Sequence, residues 1–309
     1  MNKRSHATRP VKQGDVRRMV RTRNAPAPLP EGREGEVVRL RAGEDYTLNL
    51  LRACPKELSE FRPGLLHVSD VIGKCMRKIA LSDKIKKAMP SESISDSLGL
   101  TFAQGVALHD YVKAKFIKGH PDKLYGRWSC LCGETVTDEM LAQDPPNTPC
   151  RNCNTVSNRY RELDIKDEEL GIVGSPDVLL YIAEEAMYYP IELKSITYDD
   201  WKEMVRPKPD HVTQVLFYWY LLLRANYSVP DQVSIVYISK GYIFKSPYKE
   251  FVVKIGSLEE VEERLGIWLE DAAALKTFRD GGELPPRNNC PNINCKDAKE
   301  CHVATVCFG

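Results

Sequence analysis

No stretch of this 309-residue chain is apolar for long enough to cross a bilayer. The longest run, VLFYWYLLL, has about half the residues a spanning helix needs. No apolar segment follows the basic residues near the start. The expectation is therefore a soluble, cytoplasmic (intracellular) protein without a secretory leader or a membrane partner. An excess of charge is missing too: 44 Lys+Arg stand against 43 Asp+Glu, a net of +1. That excludes a basic field over the whole molecule as the means of holding a polyanion, so any such attraction must be local. No internal repeat runs through the chain.

Cysteine, by contrast, is plentiful. Ten are present: four between Cys130 and Cys153, four between Cys290 and Cys307, and Cys54 and Cys75 upstream. In a reducing compartment such clustering favours metal ligands over disulfides. Charge is also concentrated locally. Lys3, Arg4, Arg9, Lys12, Arg17, Arg18, Arg21 and Arg23 are opposed only by Asp15 before the linker-like NAPAPLPEG. Residues 1–35 are expected to be a disordered basic arm, read either as a nucleic-acid contact or as a solvated tail.

Helical spacing is expected over residues 44–61 and through HVSDVIGKCMRKIAL, with Ser69 or Asp70 as a cap. It continues in SISDSLGLTFAQGVALHDYVKAKFI, which places Leu98, Phe102, Val106, His109 and Val112 on or near one face. Turns and cysteines take over between Tyr125 and Asn158. Strand-like runs follow, RELDI, LGIVGSPDVLLYI and AMYYPIELKSI, with AEE as a tight hairpin turn between the last two. DHVTQVLFYWYLLLRA reads as a strongly apolar helix, and QVSIVYISK and KEFVVKI as strands. SLEEVEERLGIWLEDAAALKTFRDG reads as an amphipathic helix capped by Ser257. Mixed strands with helices before and after them imply an α/β domain. The expected divisions are a basic arm (1–35), a helical part (36–124), an insert (125–158), a core (159–283) and a cysteine tail (284–309).

In a strand, Glu192 and Lys194 of IELKS project to one face and Leu193 to the other. A hairpin would set Asp177 beside Glu192. Two adjacent carboxylates repel unless a divalent cation neutralises them, and oxygen ligands suit Mg2+ or Mn2+. A lysine one pleat away orients a water or offsets charge growing on a phosphate oxygen. The combination fits phosphodiester hydrolysis, although a lone E-x-K is ordinarily a structural ion pair.

Four elements occur in order: Gly105 and His109 in QGVALH, Gly174 and Asp177 in GSPD, Glu192 and Lys194 in ELK, and Gln214 and Tyr218 in TQVLFY. The set resembles the PD-(D/E)XK nuclease superfamily, in particular its RecB-like branch and the CRISPR-associated iron–sulfur exonucleases near it. The resemblance spans roughly residues 65–309 apart from the insert. It implies a restriction-endonuclease-like core, a central mixed sheet flanked by helices. It implies Mg2+ or Mn2+ held by His109, Asp177 and Glu192 with the Leu193 carbonyl assisting, Lys194 positioning the attacking water, and Gln214 with Tyr218 contacting substrate. DNA, as single strands or ends, would be the substrate, and an exonuclease is favoured over an endonuclease. Protein partners would be of the replication, recombination or CRISPR type, with the oligomeric state open. Alternatives are a catalytically silent DNA- or partner-binding module, an iron–sulfur redox or regulatory protein, and RNA as substrate.

The tail cysteines, Cys290, Cys295, Cys301 and Cys307, would by themselves suit a structural zinc ion. The resemblance implies instead a [4Fe–4S] cluster with one ligand from an N-terminal helix and three from the tail: Cys75, Cys290, Cys295 and Cys301, with Cys307 spare. The Cys290-to-Cys295 step is longer than the family's, which leaves open whether Cys307 replaces one ligand. In the insert, Cys130-x-Cys132 and Cys150-x2-Cys153 have the paired spacing of a zinc ribbon. Its role is open between gripping DNA, docking a partner and bracing the insertion.

Overall fold

The computed structural model describes residues 65–85, 96–130, 132, 135–142, 149–150, 152–155, 159–243, 246–287 and 290–309. The chain divides into Met1–Cys54 and Pro55–Gly309, and every described residue belongs to the second unit. The expected basic arm, the helix over residues 44–61 and Cys54 lie outside the described residues.

In chain order, β1 (Leu66–His67) leads into α1 (Val68–Gly73), α2 (Met76–Lys84) and α3 (Asp96–Gly119). Next come β2 (Leu124–Ser129), β3 (Thr135–Leu141), β4 (Arg159–Arg161), β5 (Ile165–Asp167), β6 (Ile172–Gly174), β7 (Val178–Ile182) and β8 (Met187–Ile196). Then follow α4 (Tyr198–Glu203), α5 (Pro209–Arg224), β9 (Gln232–Ser239), β10 (Tyr248–Lys254), α6 (Leu258–Arg279), α7 (Lys296–Lys299) and α8 (Ala304–Phe308). The larger sheet runs β10-β9-β8-β7-β2-β3, with β4 paired to β2; a second sheet runs β1-β6-β5. In the larger sheet β8 and β9 are parallel and the other pairs antiparallel. This is a mixed α/β architecture. No helix among the described residues is long and apolar enough to cross a membrane.

Helix α5 is apolar nearly all round, and a helix of that kind has to be enclosed. Val215 through Leu222 are all buried, packed against β5, β6, β8 and β9. Pro209 opens the helix, where its missing N–H costs nothing. Helix α6 lays Val261, Leu265, Ala272 and Leu275 against the same core, and Ser257 and Glu260 close a reciprocal capping box at its start, as expected. On the opposite face of the larger sheet, α3 covers a smaller cluster of Val112, Leu124, Val178, Ile191, Leu193 and Ile238.

Four expectations need correction. HVSDVIGKCMRKIAL is two helices, because Lys74 is extended and ends α1. Neither Ser69 nor Asp70 caps it: Asp70 pairs with Lys74 at 2.7 Å, and His67 and Cys75 are the N-cap residues. LGIVGSPDVLLYI is not one strand, since Ser175-Pro176-Asp177 separates β6 and β7, which join different sheets. On α3 the expected apolar face is buried only towards its C-terminal half: Leu98, Phe102 and Val106 are 45%, 54% and 62% exposed.

Candidate active site

The β7–β8 hairpin turns at residues 183–186, and its ladder starts at Val178 opposite Ile191. Asp177 stands one residue before that ladder, level with Glu192. Its Oδ2 accepts the Leu193 N–H at 2.8 Å and its Oδ1 faces His109 Nδ1 at 3.2 Å. His109 reaches it because α3 crosses β8 closely. One turn earlier, a Cβ on Gly105 would lie 3.0 Å from Ser195 Oγ. Gly174 plays the same part for α5: a Cβ there would meet Leu221 Cδ1 at 2.9 Å and Tyr218 Cδ1 at 3.0 Å.

Strand alternation turns Ile191 and Leu193 to the smaller cluster and Glu192 and Lys194 towards α5. Lys194 Nζ lies 2.6 Å from Glu192 Oε1 and donates to Gln214 Oε1 at 2.8 Å. Gln214 in turn donates to the Tyr218 hydroxyl at 2.6 Å, a one-turn step along α5. All six candidate residues therefore form one chain of contacts. Glu192 is 3% exposed and its Oε2 is buried without a hydrogen-bond partner among the described residues. Burial, then the neighbouring Asp177 charge, pushes the Glu192 carboxyl well above the usual range, against the pull of Lys194. Asp177 goes the other way. Burial pushes its carboxyl up, but His109, the Leu193 N–H and Lys194 together bring it below its ordinary value. Tyr218 is held protonated by burial and by the same carboxylates. A buried, unsatisfied carboxylate oxygen beside a second carboxylate and an imidazole has the donor chemistry a hard divalent cation takes, but the three residues do not bring one ligand atom each within 4.8 Å of one another.

Asp177, Glu192, Gln214 and Tyr218 line a cleft of about 530 Å3 together with Arg127, Arg161, Glu162, Asp164 and Ser175. Glu162 is a site residue that sequence reasoning missed. It follows β4, pairs with Lys113 of α3 at 2.8 Å, and burial plus the Asp177 charge raises its carboxyl. Its only sequence signal was a place in RELDI, ahead of the glycine motif. His211 was missed as well. Its Nδ1 lies 2.7 Å from the Tyr237 hydroxyl, and burial, Lys194 and Lys208 lower its pKa to about 4.

The insert cysteines converge. One ligand atom each from Cys130, Cys132, Cys150 and Cys153 lies within 4.8 Å of the others. Tetrahedral zinc at about 2.3 Å from each sulfur needs sulfurs roughly 3.8 Å apart; Cys132 and Cys150 are 3.6 Å apart, whereas Cys130 and Cys153, at 3.0 Å, stand closer than a bound zinc would hold them. The Thr155 hydroxyl contacts the sulfurs of Cys130 and Cys153 at 3.2 and 2.9 Å, and it leads the contacts that lower the Cys130 thiol to about 6. The four residues fit one soft ion.

The other set is spaced differently. Cys75, Cys290, Cys301 and Cys307 line a cavity of about 590 Å3, with Arg77 donating to Cys307 Sγ at 3.2 Å. Burial, then Cys295 and Cys75, raises Cys290 to about 11. Cys295 caps α7, accepting the Ala298 N–H at 3.4 Å. Among the described residues only the insert quartet is tight enough for a single ion. Four of these thiols, Cys75, Cys290, Cys301 and Cys307, line the larger space, and Cys295 does not.

No family model matches the chain, and no curated protein matches it. Among solved structures, SSO0001 is similar over 80% of this chain and 87% of its own, at 15% identity and a TM-score of 0.39. LHK-Exo in complex with dAMP is similar over 71% and 93%, at 14% identity and a TM-score of 0.38. The alkaline exonuclease LHK-Exo from Laribacter hongkongensis is similar over 71% and 94%, at 15% identity and a TM-score of 0.34. Likenesses this distant assign neither fold nor chemistry.

Proposed function

We propose that this chain is a metal-dependent deoxyribonuclease with a restriction-endonuclease-like core, acting as an exonuclease on DNA ends or single strands. The observation that carries the reading is the buried, unpartnered Glu192 Oε2 set against Asp177, which itself holds His109. His109, Asp177 and Glu192 would hold Mg2+ or Mn2+. A divalent ion there supplies Lewis-acid chemistry for water activation and for charge on the leaving oxygen. Lys194, fixed between Glu192 and Gln214, orients the attacking water and offsets charge on the phosphate oxygens. Gln214 and Tyr218 lock the Lys194 ammonium in place and face the cleft where the strand would lie. The Leu193 N–H keeps Asp177 ionised and aimed.

A [4Fe–4S] cluster would tie α1–α2 to the tail through Cys75, Cys290 and Cys301, with Cys295 as the expected fourth ligand and Cys307, which lines the cavity where Cys295 does not, as its rival. Zinc would occupy Cys130, Cys132, Cys150 and Cys153. The test is cleavage of 5′- and 3′-labelled DNA by anaerobically purified protein with Mn2+, Mg2+ or EDTA, beside iron, zinc and sulfide analysis. Metal-dependent release of nucleotides from one end is expected. Intact DNA in every condition would refute the assignment.

A further inference from the structure

We propose that Arg127 and Arg161 form a clamp for the backbone phosphates of single-stranded DNA, and that the cysteine insert exists to hold the two arginines in register. This rests on the nuclease reading above and names how the strand is gripped.

The register of β2 and β4 sets Arg127 opposite Arg161 and Ser129 opposite Arg159, with Trp128 opposite Tyr160 on the other face. The Trp128 and Tyr160 rings pack edge-on, 6.3 Å apart, so one face is closed by aromatics. On the other face Arg159 and Arg161 are exposed, Arg127 is half-buried and Ser129 is buried. Arg127, Ser129 and Arg161 line the same cleft as Asp177 and Glu192. Arg159 continues the row into an adjoining cleft of about 280 Å3, shared with Arg161, Glu162 and Lys113. Like charges directly opposite on paired strands repel, so this arrangement is unfavourable until an anion lies over it.

Among the described residues Asp164 is the one cleft carboxylate that pairs with either arginine, and it pairs with Arg127 alone. Arg127 donates to the Asp164 carbonyl at 2.9 Å and approaches the Asp164 carboxylate only to 3.5 Å. Arg161 gives its Nε–H to Ser129 Oγ at 3.2 Å. Among the described residues neither arginine forms an ion pair with Glu162, Asp177 or Glu192, although all share the cleft. Planar guanidinium forks facing an acidic, metal-fitting site suit the phosphates that flank a scissile bond. The insert supplies the register. Cys130 follows β2 directly and Cys150 and Cys153 precede β4, so four converging sulfurs pin the ends of both strands next to Ser129 and Arg159.

The test uses the full chain, a fluorescein-labelled single-stranded oligonucleotide and Ca2+ in place of Mn2+, with anisotropy followed across a KCl series. Arg127→Gln and Arg161→Gln should each weaken binding severalfold and make the dependence of log K on log salt shallower by about 0.7. Arg127→Lys, which keeps the charge, should retain the slope, and Cys150→Ser should lose slope as the arginine variants do. Arg127 is tied to Asp164, so if its glutamine variant misfolds by circular dichroism, the exposed Arg161 carries the test. Unchanged affinity and slope in Arg161→Gln would overturn the clamp while wild-type cleavage with Mn2+ leaves the nuclease reading standing. A wild type that neither binds the oligonucleotide nor cleaves it would overturn both.

Discussion

Replacing Glu192 by glutamine separates the cost of this site from its use. In the metal-free protein Glu192 is enclosed, one oxygen has no hydrogen-bond partner, and Asp177 repels its charge. A folded-state pKa raised above the unfolded one means that the folded protein binds the extra proton. Stability is therefore lost as pH rises from about 4.5 towards the raised value. An unsatisfied buried group costs about 1–3 kcal/mol. For a unit of this size each kcal/mol moves Tm by roughly 2–4 °C. Glu192→Gln without metal at pH 8 should thus melt a few degrees above the wild type, even though Lys194 loses its ion pair. Saturating Mn2+ should reverse the order. At 100 times its Kd a ligand adds about 3 kcal/mol, which the wild type gains and the glutamine variant largely does not. Differential scanning calorimetry in EDTA and in Mn2+ reads both effects. The reasoning is refuted if Glu192→Gln melts below the wild type in EDTA, or if Mn2+ raises both proteins equally.

Further outcomes follow from the same geometry. Lys194→Ala should reduce cleavage by about 10²–10⁴-fold while secondary structure and iron content stay at wild-type levels; full activity in Mn2+ would contradict its role. His211, lowered to about 4 in the folded protein, stays neutral where the unfolded chain begins to protonate near 6.5. The unfolded state then binds more protons, so stability should fall by up to about 3 kcal/mol as pH drops from about 6.5 to 4, measurable as a falling urea midpoint that His211→Asn flattens. Gly174→Ala should cost about 1–3 kcal/mol, because its Cβ would press on Leu221 and Tyr218. Cys75→Ser should strip iron while sparing zinc, read by elemental analysis.

The order and type of most elements were legible because their periodicities were clean. The all-apolar stretch of α5 could only be a buried helix, and Ser257 announced the start of α6. The nearness of Asp177 to Glu192 was expected from the short AEE turn and the pleat, and the hairpin ladder begins one residue further on, at Val178 opposite Ile191. Where reading along the chain failed, the decisive contact was distant. Nothing local says that Lys74 is extended, or that Pro176 hands the chain from one sheet to another. The exposure of Leu98, Phe102 and Val106 shows that apolar spacing alone does not fix which side of a helix is covered.

Glu162 illustrates the same limit inside the site. A single glutamate after a short strand has no distinguishing neighbours in sequence, and only the fold brings Lys113 and Asp177 to it. The cysteines differ in the same way. Spacing suggested a ligand for each group, but only the fold brings the insert sulfurs together as a tight quartet and leaves the tail thiols along a larger cavity.

The sequence by itself determined which side chains are chemically able to act, since residue type and the alternation of a strand are local properties. Tertiary structure alone decided that a histidine from α3 and a glutamate of β8 both stand beside an aspartate that lies between two sheets. The physical reason is that burial, repulsion and hydrogen bonding depend on distance through space, which strand pairing and helix packing set and linear spacing does not.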